Sequence, residues 1–243
     1  MPAAWPAPAP ARPAWRPRLH APCEVCRRWS ASVLCPDCIA RYASPRPRCA
    51  RCGLGLGMAS AACGACLREP PPFEQTVCAA DYAFPWVGLI AEFKFRGRVE
   101  LAGALGGLLA TAVRRAVPPR PALLLPVPLA DARLCERGYD QAWALARVLA
   151  RELGLPAEPR LLQRPLATAH QAELGRAARQ RNLRAAFMVD PLRRAAVRGL
   201  RVALVDDVMT TGATLREAAA ALRHAGASAV DAWVVARTAA EAD

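Results

Sequence analysis

One stretch constrains the chain more than any other: Val202-Ala-Leu-Val-Asp206-Asp207-Val-Met-Thr210-Thr211-Gly212-Ala213-Thr214. An apolar run, two acids and a hydroxyl-rich turn lead there straight into a helical pattern. Val202 to Val205 is short and apolar on both faces, as a strand buried on both sides of a parallel sheet must be. Leu215, Ala218, Ala219, Leu222 and Ala225 then recur at helical spacing. Strand, tight loop and helix in such close order place a site at the carboxyl end of the sheet. Gly212 and Ala213 let the backbone approach a bound group, and Thr210, Thr211 and Thr214 add hydroxyls to the free N–H groups that open the helix. That is an anion cradle. Asp206 and Asp207 suit a sugar diol better than a phosphate, so the two features together describe a ribose 5-phosphate. Successive strand residues point to opposite faces, so both acids share one ligand only if the backbone turns off the strand at Asp207.

Two plainer readings compete. The acids and threonines would merely cap the next helix, yet a cap needs one such residue and five stand between 206 and 214. An acid-tipped strand also occurs in nucleotide triphosphatases, but these need a Gly-x-x-x-x-Gly-Lys-Ser/Thr loop, and the chain's single lysine, Lys94, lies in Glu-Phe-Lys-Phe-Arg.

The segment resembles the phosphoribosyl pyrophosphate (PRPP) motif of type I phosphoribosyltransferases. The resemblance implies an α/β fold, a parallel sheet flanked by helices. It makes Asp206 and Asp207 the catalytic pair that serves the ribose hydroxyls and Mg²⁺, and Thr210, Thr211, Gly212, Ala213 and Thr214 the binders of the 5-phosphate.

Eight of the ten cysteines form four Cys-x-x-Cys pairs: Cys23 and Cys26, Cys35 and Cys38, Cys49 and Cys52, Cys63 and Cys66. Each turn brings two sulfurs to one ion and two turns complete a tetrahedron, so two structural zinc sites are expected. Disulfides and an iron–sulfur cluster are the weaker alternatives. Pairing in sequence order is the first choice, with crossed pairing left open. Cys78 and Cys135 stand alone and are read as structural. A small Cys-rich zinc-ribbon module over residues 21–70 thus precedes a phosphoribosyltransferase-like domain over 71–243, with Pro70-Pro71-Pro72 as a hinge.

The formal charge is +13, but almost all cations are arginine, which weakens charge as a guide to partners. Thiolates and zinc together reduce the basicity of the module. Trp29 and Tyr42 offer stacking faces for single-stranded nucleic acid; a ribbon that only folds a domain or docks on a partner is the equal alternative. Residues 1–20, rich in proline and alanine with Arg12, Arg16 and Arg18, read as a disordered tail. No stretch approaches the roughly 20 apolar residues of a membrane span and no secretion signal opens the chain, so a cytoplasmic protein without membrane insertion is expected.

Further along, Thr76 to Phe84 alternates like a strand, and helices are expected near 86–95 and 99–117. The cationic turn Lys94-Phe-Arg96-Gly-Arg98 between them suits a pyrophosphate or a solvated helix end. Leu123 to Leu129 is a second buried strand, followed by a loop over Asp131 to Gln141. In the transferases a loop in this position holds the pyrophosphate, which makes Arg133, Arg137 and Gly138, with Lys94, the candidates. Residues Thr168, Gln171, Arg181 and Asn182 belong to a polar stretch read as a mobile lid, with a surface helix as the alternative. His170 within it is given no catalytic role.

Taken in order from Cys23 to Arg237, the cysteine turns, Pro-Pro-Phe, Lys-Phe-Arg-Gly-Arg, Pro-Val-Pro-Leu with Arg-Leu-x-x-Arg-Gly-Tyr-Asp-Gln, Thr-x-x-Gln-x-x-Leu with Arg-x-Arg-Asn, and the Asp-Asp loop resemble the ComF family. Asp140 departs from the asparagine expected in many members. The resemblance implies a link to natural competence and DNA uptake. PRPP is the implied ligand, with single-stranded DNA and a DNA-uptake helicase or other competence protein as candidate partners. Transfer of phosphoribosyl to an acceptor, or PRPP sensing without catalysis, both fit. No base-selecting pocket is written in the sequence.

Overall fold

The computed structural model describes residues 20–58, 62–165 and 186–239. The arginine-bearing start and the expected lid, with Thr168, Gln171, Arg181 and Asn182, lie outside the described residues.

Four parallel strands form the main sheet: β3 (Gln75–Asp81), β4 (Leu123–Pro126), β7 (Arg201–Met209) and β8 (Ala229–Arg237), in the spatial order β3-β8-β7-β4. β8 is buried at all nine positions, as a central strand covered on both faces must be. α3 (Trp86–Phe95), α4 (Leu101–Ala116) and α6 (Gln141–Leu153) cover one face, packing Leu105, Leu109, Leu145 and Leu149 around Trp233. α7 (Ala213–His224) and a short antiparallel pair, β5 (Leu162–Gln163) with β6 (Met188–Val189), cover the other, with Phe73, Leu204, Leu215 and Leu222 in that core. β7 supplies Ala203 and Val205 to the first core and Val202 and Leu204 to the second. α4 and α6 approach closely at Gly106, where a Cβ would lie 2.7 Å from Val148. Among the described residues no helix is long and apolar enough to cross a membrane.

The Cys-rich module is built twice over. β1 (Ala21–Pro22) pairs with β2 (Trp29–Ser30), and α1 (Pro36–Tyr42) follows Cys35; α2 (Gly64–Arg68) follows Cys63 in the second unit. In each unit the first cysteine's N–H donates 2.8 Å to a carbonyl five residues on, Arg28 or Leu54. The first Cys-x-x-Cys turn of each unit then closes through a left-handed residue, Arg27 at φ 62° and Gly53 at φ 69°.

Both units rest on the sheet domain. Trp86 Nε1 donates 2.7 Å to the Tyr42 carbonyl, Arg98 grips Glu24 at 2.7 and 3.1 Å, and Thr76 N donates 2.8 Å to the Ala50 carbonyl. The chain over Pro70–Pro72 therefore joins surfaces already bonded to each other, and it does not work as an open hinge.

Candidate functional site

The cleft arises from a mismatch in strand length. β4 ends at Pro126 opposite Val205, and the last bond across is Val127 N to the Val205 carbonyl, 3.0 Å. β7 runs on to Met209 with only β8 beside it, since Val208 still pairs with Ala236 and Met209 with Arg237. The notch left beside residues 206–208 is a cleft of about 330 Å³. The strand thus extends through both acids and does not turn off at Asp207 as the alternation argument requires. Asp206 and Asp207 nevertheless both line the cleft, because it opens against the strand's free edge and not against one face of the sheet.

Asp207 is 2% exposed, and its Oδ1 lies 2.8 Å from Lys94 Nζ at the end of α3. Its Oδ2 is buried without a protein partner. Asp206 Oδ1 accepts from the Asp207 N–H at 2.8 Å. Burial first, and then the negative Asp207, push the Asp206 carboxyl well above the usual carboxylate range; that N–H and Lys94 pull against the shift. Two adjacent acids, one with an orphaned oxygen, suit a divalent cation or a diol.

The opposite wall comes from the segment after β4. The expected loop over Asp131 to Gln141 is in fact a seven-residue helix, α5 (Asp131–Arg137), stopped by Gly138 at φ 76°. An acid in its first turn and a left-handed glycine just past its end were the sequence signals for it. Arg133 and Arg137 stand four residues apart, hence on one side of α5, and both line the cleft. Arg137 stacks 5.0 Å over the Phe95 ring, and its Nη1 is buried without a protein partner. Gly138 does not line the cleft; it turns the chain into α6.

Three further residues line the cleft without a role assigned to them from the sequence. Gln141, 4% exposed, has an unpartnered Oε1, Tyr82 lies beyond β3, and Arg164 lies past β5 with its guanidinium 5.4 Å over Phe187. No local pattern marks Tyr82 or Arg164, whereas Gln141 closes the Arg-Gly-Tyr-Asp-Gln run. Of the cationic turn only Lys94 reaches the cleft: Arg96 pairs with Glu92 at 2.8 Å, and Arg98 turns to Glu24 and Glu100. Four cations, Lys94, Arg133, Arg137 and Arg164, therefore face two acids, a balance that favours an anion of more than one charge.

Between β7 and α7 the turn is made by Thr210, Thr211 and Gly212 at φ 82°, and Thr210 and Thr214 line the cleft. Only glycine takes the Gly212 conformation without strain. Thr211 Oγ1 accepts from Ala213 N at 3.3 Å, and no side chain caps the helix from Gly212.

The thiols gather as Cys23, Cys26, Cys35 and Cys38, and as Cys49, Cys52, Cys63 and Cys66, in sequence order, with the sulfurs of each set within 4.8 Å of one another. All are free. Backbone N–H groups aim at sulfur: Cys35 N lies 3.3 Å from Cys23 Sγ and Cys63 N 3.2 Å from Cys49 Sγ. Burial raises the Cys23 and Cys49 thiols, but the N–H donors outweigh it and bring them down to about 6 and about 7. Burial and neighbouring sulfurs push Cys38 up to about 12. Four crowded thiols, some with stabilised thiolates, suit a metal ion and are compatible with zinc.

Residues 141–243 match the family described as phosphoribosyl transferase domain. The chain is 36% identical over 226 residues to a DNA utilization protein, YhgH, of Salmonella typhi, covering 89% of this chain and 96% of that protein. Competence protein F of Haemophilus influenzae is 36% identical over 84% of this chain and 90% of its own. Competence protein ComFC of Bacillus subtilis is 30% identical over 58% of this chain and 54% of its own.

Proposed function

The chain belongs to the ComF family of competence and DNA utilization proteins with a phosphoribosyl transferase domain, and from that premise we propose that it binds PRPP with Mg²⁺ and transfers phosphoribosyl to an acceptor during DNA uptake or use. The observation that carries this reading is the convergence, on one cleft, of the acid pair, the hydroxyl loop and four cations from separate elements. Thr210 and Thr214, with the first turn of α7, would hold the 5-phosphate; Asp206 and Asp207 the ribose hydroxyls; Arg133, Arg137, Lys94 and Arg164 the pyrophosphate. Mg²⁺ would sit against Asp206 and Asp207, where the orphaned Asp207 Oδ2 fits it, and neutralise charge on the leaving group.

In the reaction class proposed, the acceptor's nucleophile bonds to the anomeric carbon. The bond from that carbon to pyrophosphate breaks, the electron pair leaves with pyrophosphate, and the acceptor releases a proton. Arginines fixed beside the departing oxygens stabilise the charge that develops there. Zinc in the two four-thiol sets would order residues 21–70 as a module distinct from the transferase domain, in a cytoplasmic protein. Calorimetric titration of the zinc-loaded protein with PRPP and Mg²⁺ tests the reading: binding by the wild type and its loss in Asp207→Ala support it, and no binding by a folded wild type rejects it.

A second reading keeps the PRPP pocket as a sensor on a protein that handles single-stranded DNA. Its support is Trp29, 74% exposed on β2 beside exposed Arg27 and Arg28. It predicts salt-sensitive binding of an oligonucleotide that survives Asp206→Ala and falls in Trp29→Ala; a DNA-uptake helicase or other competence protein is then the partner class.

A further inference from the structure

Arg237, the last residue of β8, is not part of the cleft wall, yet it is only 8% exposed because it is wedged between two functional pieces. Its Nε donates 3.0 Å to the carbonyl of Cys52, in the second four-cysteine set. Its Nη1 lies against the carbonyls of Met209 at 3.3 Å, of Thr210, and of Thr238 at 3.0 Å, with the Thr238 hydroxyl also at 3.0 Å. We infer that Arg237 couples the second metal set to the anion-binding loop, so that an ion held by Cys49, Cys52, Cys63 and Cys66 sets how tightly the loop holds a phosphate. The inference deepens the PRPP reading and rests on it for the choice of ligand.

The physical argument has two halves. A guanidinium is a rigid planar fork, so the carbonyls gripped at Nε and at Nη1 cannot move independently of each other. The Met209 carbonyl is also held by the Thr238 N–H at 3.1 Å, so the Thr210 carbonyl is the one that depends on Arg237; released to swing into the loop, it would face phosphate oxygens and repel them. The other end of the fork is only as firm as the Cys49–Cys52 turn. That turn is clamped by Thr76, whose N–H and hydroxyl donate to the Ala50 and Arg51 carbonyls at 2.8 and 2.6 Å, and by Arg48, which donates 3.1 Å to the Gly53 carbonyl. A shared ion would draw the turn toward Cys63 and Cys66. The first set docks elsewhere, on α3 and Arg98 through Tyr42 and Glu24, so one metal site of the two is coupled to the loop.

The test uses the full-length, zinc-loaded chain and its Arg237→Gln variant. Titration with PRPP and Mg²⁺, and in parallel with inorganic phosphate, gives affinity; a zinc-selective chromophoric chelator under excess Mg²⁺ gives zinc release. The wild-type titration alone judges the PRPP reading, and the phosphate titration reads the coupling separately. The variant is expected to hold two zinc ions and to bind either probe about tenfold more weakly, a common size for coupling between sites. Reciprocity requires that bound ligand raise the affinity of one of the two zinc sites in the wild type, read as a shift in the chelator competition, and of neither in the variant. Unchanged affinity in Arg237→Gln, or ligand protection equal in both proteins, overturns the coupling. Should Arg237→Gln fail to fold, Cys66→Ser replaces it: loss of one zinc with about tenfold weaker binding is expected, and loss of one zinc with unaltered binding refutes the inference.

Discussion

Replacing Lys94 by methionine keeps the stem that packs at the end of α3 and deletes the charge that pairs with Asp207. Coulomb's law with an effective dielectric of about 20 gives roughly 6 kcal/mol for unit charges at the 2.8 Å separation of this pair. Lys94 keeps 20% of its side chain in solvent, and water entering the cleft screens what is left, so about 3 kcal/mol is the expected loss at pH 7. The pH dependence separates this cause from lost packing. Burial and the negative Asp207 already raise the Asp206 carboxyl, and Lys94 opposes them, so Lys94→Met must raise it further. An acid with a raised folded-state value contributes stability that is present below its unfolded value and is lost as pH rises through the folded one. The penalty is therefore smaller at pH 5 than at pH 7. Urea denaturation at saturating zinc at the two pH values is the assay, and adding Asp207→Asn to Lys94→Met is expected to recover about 2 kcal/mol at pH 7. A loss under about 0.5 kcal/mol at pH 7, or one equal at both pH values, refutes the claim that this pair neutralises the site.

Gly106→Ala places a methyl 2.7 Å from Val148 and is expected to cost about 2 kcal/mol in urea, with much of it regained by adding Val148→Ala; no cost would mean that α4 and α6 are further apart. Glu24→Gln breaks the paired bond to Arg98 and is expected to loosen residues 23–42 by about 1 kcal/mol in amide exchange. Because the Arg98 guanidinium holds the Glu24 carboxyl below its ordinary value, this docking is present above that value in the wild type and is lost as pH falls through the folded one. Titration of the metal-loaded protein with a thiol reagent should find one fast thiol, the exposed Cys135, while Cys78 reacts slowly because burial pushes it up to about 11; chelation should then expose the other eight. Nine fast thiols before chelation, Cys135 and the eight of the clusters, would show that the clusters hold no ion.

The acid pair, the threonines, the eight paired cysteines and the helices over 86–95 and 101–116 could all be read from the chain, because each is a local pattern whose chemistry or period closes within one or two turns. The strand through Val202 was legible for the same reason, although its continuation past the acids was not: that depends on β8 running alongside to Arg237. The helix at Asp131–Arg137 was read as a loop, since seven residues without a buried position show no hydrophobic period. What tertiary structure alone decided was company. Sheet order sets β4 against β7, and the early end of β4 opens the notch; α3 delivers Lys94 to an acid far along the chain and sends Arg98 away from it. Arg164 and the bond from Arg237 to Cys52 follow no motif, because a charge or a donor takes its role from what the fold places within about 3 Å of it.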